Sequence, residues 1–259
     1  MKLCRIVDLG MIGYAEAYAL QKRLVAARKA DAVGDVLLLC QHLPVITQGR
    51  NGKREHLLAS EHLLRQRNVE FFETSRGGDV TFHGPGQIVG YPILQLAAIR
   101  KDVGWYVRML EELMIRATNE FGLNAGREQG KTGVWVEPGS NPDDSLLATR
   151  HSPLATSSSE KIGAIGVHLS RWVTSHGFAY NVSTDLRYFD LIVPCGIPGR
   201  KATSLEKLLG RAIDIDKVSA SLAHHFGEVF GLALQPVSPS ELFEMLERAE
   251  HSLAAQAVA

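Results

Sequence analysis

Three short segments of this 259-residue chain bring together residue types that can do chemistry. The first is Ile192-Val193-Pro194-Cys195-Gly196-Ile197-Pro198-Gly199-Arg200. A thiol between Pro and Gly in a loop is accessible, and once ionised it is a strong nucleophile. Cys4 and Cys40 differ, because both sit in apolar strand patterns that suit inert core residues. Taken alone, the Cys195 loop fits an ordinary half-buried cysteine as well as a reactive one. The second segment is Lys161-Ile162-Gly163-Ala164-Ile165-Gly166-Val167-His168. Here a lysine heads a strand whose small residues leave room for a ligand or another backbone. By itself a lysine at a strand edge is most often simply solvated. The third is Arg76-Gly77-Gly78-Asp79-Val80-Thr81-Phe82-His83-Gly84-Pro85-Gly86-Gln87. Its glycines allow close approach to a ligand, yet it is neither a dinucleotide fingerprint nor a P-loop. A tight connection displaying Arg76 and His83 is the competing reading, and Asp79 would then cap its own loop.

The elements that must position these segments read as strands and helices without a strict alternation. Hydrophobic spacing predicts strands over residues 3–9, 35–41 and 69–74, and helices over 14–29 and 55–66. The longest helical pattern covers 102–121, with Gly122 as its stop. Strands follow over 132–136, 161–169 and 177–182. Thr203-Ser204-Leu205-Glu206 has capping-box spacing, so a helix should begin just after the Cys195 loop, where its dipole would favour a thiolate. Helices over 214–230 and from Ser238-Pro239-Ser240-Glu241 onward complete the chain. Residues 138–159 are rich in Ser, Pro, Asn and Asp and lack periodicity. They are expected to form an exposed, mobile insertion between two strands that otherwise look like hairpin partners. The whole predicts an α+β domain, a mixed β-sheet flanked by α-helices.

Bulk composition narrows the function classes. Twenty-eight basic residues balance twenty-eight acidic ones, so no global field draws in nucleic acid or an anionic membrane. Three scattered cysteines make neither a disulfide framework nor a zinc site, and no H-E-x-x-H pattern suggests a metal. The His224-His225 pair reads as surface residues. The N-terminus lacks a signal-peptide pattern, and no apolar run reaches the ~18 residues of a membrane span. A soluble, cytoplasmic protein is expected.

In order, R-G-G-D-V-T-F-H-G-P-G-Q, K-I-G-A-I-G-V, G-F-A-Y-N-V and P-C-G-I-P-G resemble the lipoate-protein octanoyltransferase family, over roughly residues 1–232. That family is similar to the catalytic domains of lipoate and biotin protein ligases. The resemblance implies a catalytic domain over residues 1–235 and an additional helical tail over 236–259. It implies transfer of an octanoyl group from acyl carrier protein to a lysine of lipoyl domains, the first step of protein lipoylation. Cys195 would carry the acyl-thioester, with Lys161 as its catalytic partner. Substrate would be contacted by Arg76, Gly77, Gly78, Asp79, Val80, Thr81, Phe82 and His83, by Ala164, Ile165 and Gly166, and by Gly177, Phe178 and Ala179.

The octanoyl chain needs an apolar slot, for which the Gly-rich loop with Phe82 and the small-residue strand are the candidates. No cofactor is implied, because the acyl group arrives on phosphopantetheine. The implied partners are acyl carrier protein, the lipoyl domains of 2-oxoacid dehydrogenases and the H protein of glycine cleavage, served by a monomer. Arg50, Lys53, Arg54, Arg200 and Lys201 are candidates for a basic docking face. The rival is an ATP-dependent lipoate or octanoate ligase, which works through an acyl-adenylate and needs no acylated cysteine.

Overall fold

Residues Asp35–His42 are buried at nearly every position, and a strand of that kind needs apolar layers on both sides. In the computed structural model, which describes residues 1–137, 159–193 and 201–258, this strand β2 lies inside a mixed eight-stranded sheet. The order runs β11(Leu232–Pro236), β1(Lys2–Ile12), β2, β6(Gln87–Ile93), β10(Val173–Asn181), β9(Glu160–Ser170), β8(Lys131–Val136), β7(Ala125–Glu128). Strand β1 is parallel to both its neighbours and the remaining pairs are antiparallel.

Side-chain alternation along β2 divides the core. Leu37 and Leu39 join Phe178 and Tyr180 beneath helices α3(Val103–Glu120) and α5(Ile215–Phe230). Val36 and Leu38 join Ala179 beneath α1(Tyr14–Lys29) and α6(Pro239–Val258). Cys4 and Cys40 lie in these two layers, where burial pushes both thiols far up, out of the reactive range. The mixed sheet with helices on both faces is the α+β arrangement expected from the sequence. Helix α6 is docked rather than trailing: Leu242, Leu246 and Ala249 are buried with residues of α1, and Arg23 meets Glu250 at 2.8 Å.

A smaller sheet, β4(Glu70–Glu73), β3(Val45–Gln48), β5(Val80–His83), stands beside the large one, with helix α2(Glu61–Gln66) and a 3-10 segment Leu186–Leu191 packed on it. Two expectations are corrected here. The single helix over 55–66 is instead a 3-10 turn, Arg54–His56, followed by α2. Between them the amides of Leu58 and Ala59 both donate to the Leu191 carbonyl, which takes them out of any helix, and Ser60 caps α2 afresh. The helix after the Cys195 loop, α4(Leu205–Leu209), has only five residues and is capped by Ser204, not Thr203. The Thr203 amide is already committed to the Lys161 carbonyl at 2.9 Å, which keeps that residue in a strand-like pairing. So short a helix sums few peptide dipoles and offers little to a thiolate.

The expected insertion over 138–159 lies outside the described residues except for Ser159, which is buried and donates to Glu128. Its flanking strands β8 and β9 do pair antiparallel. Leu246→Ala, which empties a fully buried position between α6 and α1, is expected to cost about 2–5 kcal/mol. Urea denaturation measures this, and a frayed tail would show almost no change.

Candidate active site

Lys161 is held from several directions. It stands opposite Trp135 across the β8–β9 ladder, where the register shifts between Val134 and Trp135 and Ile162 becomes the extra residue. A bulge of this kind turns a strand and re-aims its side chains. The Lys161 amide donates to the Lys201 carbonyl, its own carbonyl accepts from Thr203, and its Nζ donates to the Thr132 carbonyl at 3.0 Å. The ammonium also lies 4.7 Å from the centroid of the Trp135 ring. Gly133 has φ +125°, and a Cβ there would meet the Gly163 carbonyl at 2.6 Å and the Lys161 Nζ at 3.2 Å. The lysine can occupy this place only because position 133 is glycine.

The Gly-rich segment lies directly against β9. The Gly77 amide donates to the Val167 carbonyl at 2.8 Å. A Cβ on Gly166 would touch both the Arg76 side chain and the Gly77 carbonyl at 3.0 Å. Arg76, buried, crosses this gap to Thr47, donating to its carbonyl at 2.6 Å and to its hydroxyl. Asp79 ties the loop to its neighbours: its carboxylate accepts from the amides of Val80 and Lys53 and pairs with the His56 ring. Residues Val80–His83 form β5, so the segment is part strand, where the sequence had suggested a loop throughout.

Between this segment and the large sheet lies a cavity of about 210 Å³. Its outer rim is Lys161 with Gly130, Lys131 and Thr132, of which Gly130 and Thr132 are exposed. Its inner walls include Tyr14, Val89, Tyr91, Ile165 and Phe178, of which all but Ile165 are buried. The His83 Nδ1–H donates to the Gln87 side-chain oxygen at 2.7 Å, and the ring is stacked against Tyr14. Burial, reinforced by neighbouring His42, pushes His83 down to about 3, and burial does the same to His176, with the Arg76 charge adding to it. Both rings are therefore neutral polar wall groups near neutrality, and neither is a resting acid.

Of the residues expected at a site, Lys161, Arg76, Gly78, Asp79, Val80, Thr81, His83, Ala164, Ile165, Gly166, Gly177, Phe178 and Ala179 surround this one cavity. Gly77 is not among the lining residues, and serves as the backbone contact to β9. Phe82 stands apart from this cavity. Because β5 alternates, its ring faces the other way, stacked at 4.6 Å on Tyr188 and edge-on to Phe189, and it does not line the slot. Gly177 also has a packing duty, since a Cβ there would lie 2.1 Å from the Gly90 carbonyl.

Cys195 lies outside the described residues. The chain on either side of its segment is placed: the Val193 amide donates to the His56 carbonyl, and Ala202 pairs with Lys161 in a parallel bridge. Sequence reasoning missed Tyr14, Val89, Tyr91, His176, Gly130 and Lys131. Tyr14 opens a helix and Val89 and Tyr91 sit in an unremarkable apolar strand, so nothing local marks them. His176 has φ +53°, which its sequence context does not betray.

The model of the lipoyl protein ligase A/B catalytic domain matches residues 13–227. The chain belongs to the lipoyl protein ligase A/B catalytic-domain family. Within that family it is similar to an octanoyltransferase of Acidobacterium capsulatum, 47% identical with 93% of this chain and 96% of the relative covered. It is also 47% identical to an octanoyltransferase of Solibacter usitatus, covering 91% and 97% respectively. The family member described here is an enzyme of the acyltransferase class. Its fold is shared with a bipartite lipoate protein ligase of Thermoplasma acidophilum, TM-score 0.67, at 14% identity over 96% of this chain and 91% of that one. It is shared too with lipoate-protein ligase A bound with ATP, TM-score 0.66, at 13% identity over 96% and 93%. Among the described residues no helix is long and apolar enough to cross a membrane.

The wall histidines make a prediction about pH. In the unfolded chain they titrate near about 6.5, whereas in the folded chain His83 and His176 stay neutral down to about 3. The unfolded state therefore binds more protons between these values, so stability is complete above the unfolded value and falls as pH drops toward the folded one. At pH 5 the loss is about 2 kcal/mol per buried histidine. Urea midpoints measured from pH 7 to 5 should fall steeply in the native protein and less steeply in His83→Gln.

Proposed function

We propose that this enzyme transfers an octanoyl group from a carrier-protein thioester to a lysine of a lipoyl domain, by way of an acyl-thioester on Cys195. The observation that carries this reading is the Lys161 ammonium at the rim of an apolar-walled cavity, in a chain 47% identical to octanoyltransferases along nearly its whole length. A cavity of about 210 Å³ suits a slender alkyl chain, since a dry apolar cavity of about 150 Å³ already holds benzene. Tyr14, Val89, Tyr91, Ile165 and Phe178 would take the alkyl tail, leaving the carbonyl toward Lys161.

The proposed chemistry exchanges one acyl acceptor for another. The Cys195 thiolate attacks the thioester carbonyl, the new C–S bond forms, and the bond to phosphopantetheine sulfur breaks. The departing thiolate takes a proton from Lys161. The neutral amine of the incoming lysine then attacks the acyl-enzyme, forming the amide and releasing the Cys195 thiolate, while Lys161 recovers a proton from that amine. Replacing a thioester by a thioester is close to thermoneutral, so no ATP enters. An ordinary thiol, with pKa about 8.5, is only a few per cent ionised at pH 7, and a nearby ammonium enlarges that fraction. Each tenfold gain corresponds to about 1.4 kcal/mol. Backbone amides near Cys195 and along Ala164–Gly166 are the candidate oxyanion donors.

Acidic carrier and lipoyl domains would meet a basic rim. Arg50, Lys53, Arg54 and Lys201 are exposed, with Lys53 facing Glu55 at 3.4 Å and Arg54 facing Glu61 at 3.7 Å, while Arg200 lies outside the described residues. Arg50 and Lys201 are therefore the stronger candidates for steering encounter.

Incubation with octanoyl-acyl carrier protein, without ATP, is expected to add one octanoyl mass, labile to hydroxylamine and lost in Cys195→Ser. Activity that requires ATP and free octanoate, with no adduct, would identify a ligase instead. In Lys161→Ala the alkylation rate of Cys195 near neutral pH should fall by about tenfold or more. An unchanged rate would remove Lys161 from control of the thiolate.

A further inference from the structure

Among the described contacts of Lys161, one is with an aromatic ring. Trp135 is 1% exposed and stands directly across the ladder from Lys161, with the ammonium 4.7 Å from its ring centroid. A second ammonium, that of Lys131, lies 5.8 Å from the same centroid and is itself paired with Glu128. The neighbouring backbone is shaped to keep this geometry. The Gly133 amide is turned away from the strand ladder to donate to the buried Glu111 carboxylate of α3 at 3.0 Å, and Arg127 holds the other oxygen of that carboxylate. Gly133 in its positive-φ conformation leaves the space in which the lysine side chain runs. The bulge at Ile162 sets Lys161, not its neighbour, opposite the indole.

We propose that Trp135 is a positioning residue for Lys161. Its indole face holds the ammonium at the cavity rim by a cation–π contact, with the Thr132 carbonyl fixing the direction of the N–H bond. The inference rests on the reading that Lys161 serves the acyl transfer. Indole is the strongest of the aromatic cation partners, and its flat face restrains the long lysine stem without removing the ammonium's remaining donors. A lysine on an unsupported strand end would instead sample many rotamers, and each turnover would have to select the reactive one. Electron density on the ring, more than its bulk, is then what sets the rate.

That distinction is testable without disturbing the fold. Tryptophan is replaced biosynthetically by 5-fluoro, then more highly fluorinated tryptophan, at all three positions of the wild-type chain and at the two that remain in Trp135→Phe. Fluorine drains charge from the ring face while leaving its shape nearly unchanged. Octanoyl transfer from octanoyl-acyl carrier protein to a lipoyl domain is followed under single turnover. In the wild-type chain the logarithm of the rate should fall steadily with fluorine number, reaching about 2- to 30-fold at full substitution. KM for the carrier protein should not move, and Trp135→Phe should be flat in fluorine. Equal slopes in the two chains, or no slope in the wild type while Lys161→Ala still abolishes transfer, would overturn the role of Trp135 and leave that of Lys161 standing. If Lys161→Ala transfers at the native rate, the reading of Lys161 fails first and the positioning role falls with it.

Discussion

The site depends on the close approach of the Arg76–Gly78 backbone to the face of β9. Gly77 donates to the Val167 carbonyl, and Gly166 presents no side chain to hold the segment off. Any Cβ at 166 would meet Arg76 and the Gly77 carbonyl at 3.0 Å, a separation that real Cβ atoms seldom show without a shift of their neighbours. Because the contact is backbone on backbone, it leaves little slack in either partner. It closes one side of the cavity and fixes where Arg76, Asp79 and His83 stand relative to Lys161. The small sheet then acts as the second wall of a slot whose first wall is the large sheet.

Arg76 illustrates how such a wall holds a buried charge without leaving it unsupported. Its guanidinium is spent on Thr47 and on the Gly77 carbonyl, so it is a structural tie across the two sheets at least as much as a ligand contact. The histidines around it answer to the same charge. Burial and the nearby guanidinium keep His83 and His176 neutral. The Lys161 ammonium is placed at the rim by β8 and β9, beside that of Lys131.

Division of labour between the layers follows. The layer under α3 and α5 reaches the site through Phe178, which joins the inner wall, and through Glu111, whose buried carboxylate orients the Gly133 backbone. The layer under α1 and α6 supplies the inner wall through Tyr14, Val89 and Tyr91, with His42 bonded to the Tyr91 hydroxyl at 2.7 Å behind it. Docking of α6 on α1 therefore supports the helix whose first residue lines the slot.

Residue types and periodicity by themselves determined much: the helices read at 14–29, 102–121 and 214–230, the buried strand read at 35–41, each within a residue of the observed element, and the three segments that carry the candidate chemistry. These are readable because helical and strand periods are local properties and because Gly, Lys and Cys in odd settings stand out against them. The pairing of the small sheet, the split of residues 54–66 and the shortness of the helix after the Cys195 loop were not readable, since each is decided by a partner distant in sequence. Leu191 claims the amides that residues 58 and 59 would need for a helix, and Lys161 claims that of Thr203. The direction of Phe82 followed from which face of β5 meets the large sheet, a choice that alternation alone leaves open. Tertiary structure alone also chose Trp135 as the companion of Lys161, because a one-residue bulge decides which side chains face each other across a ladder.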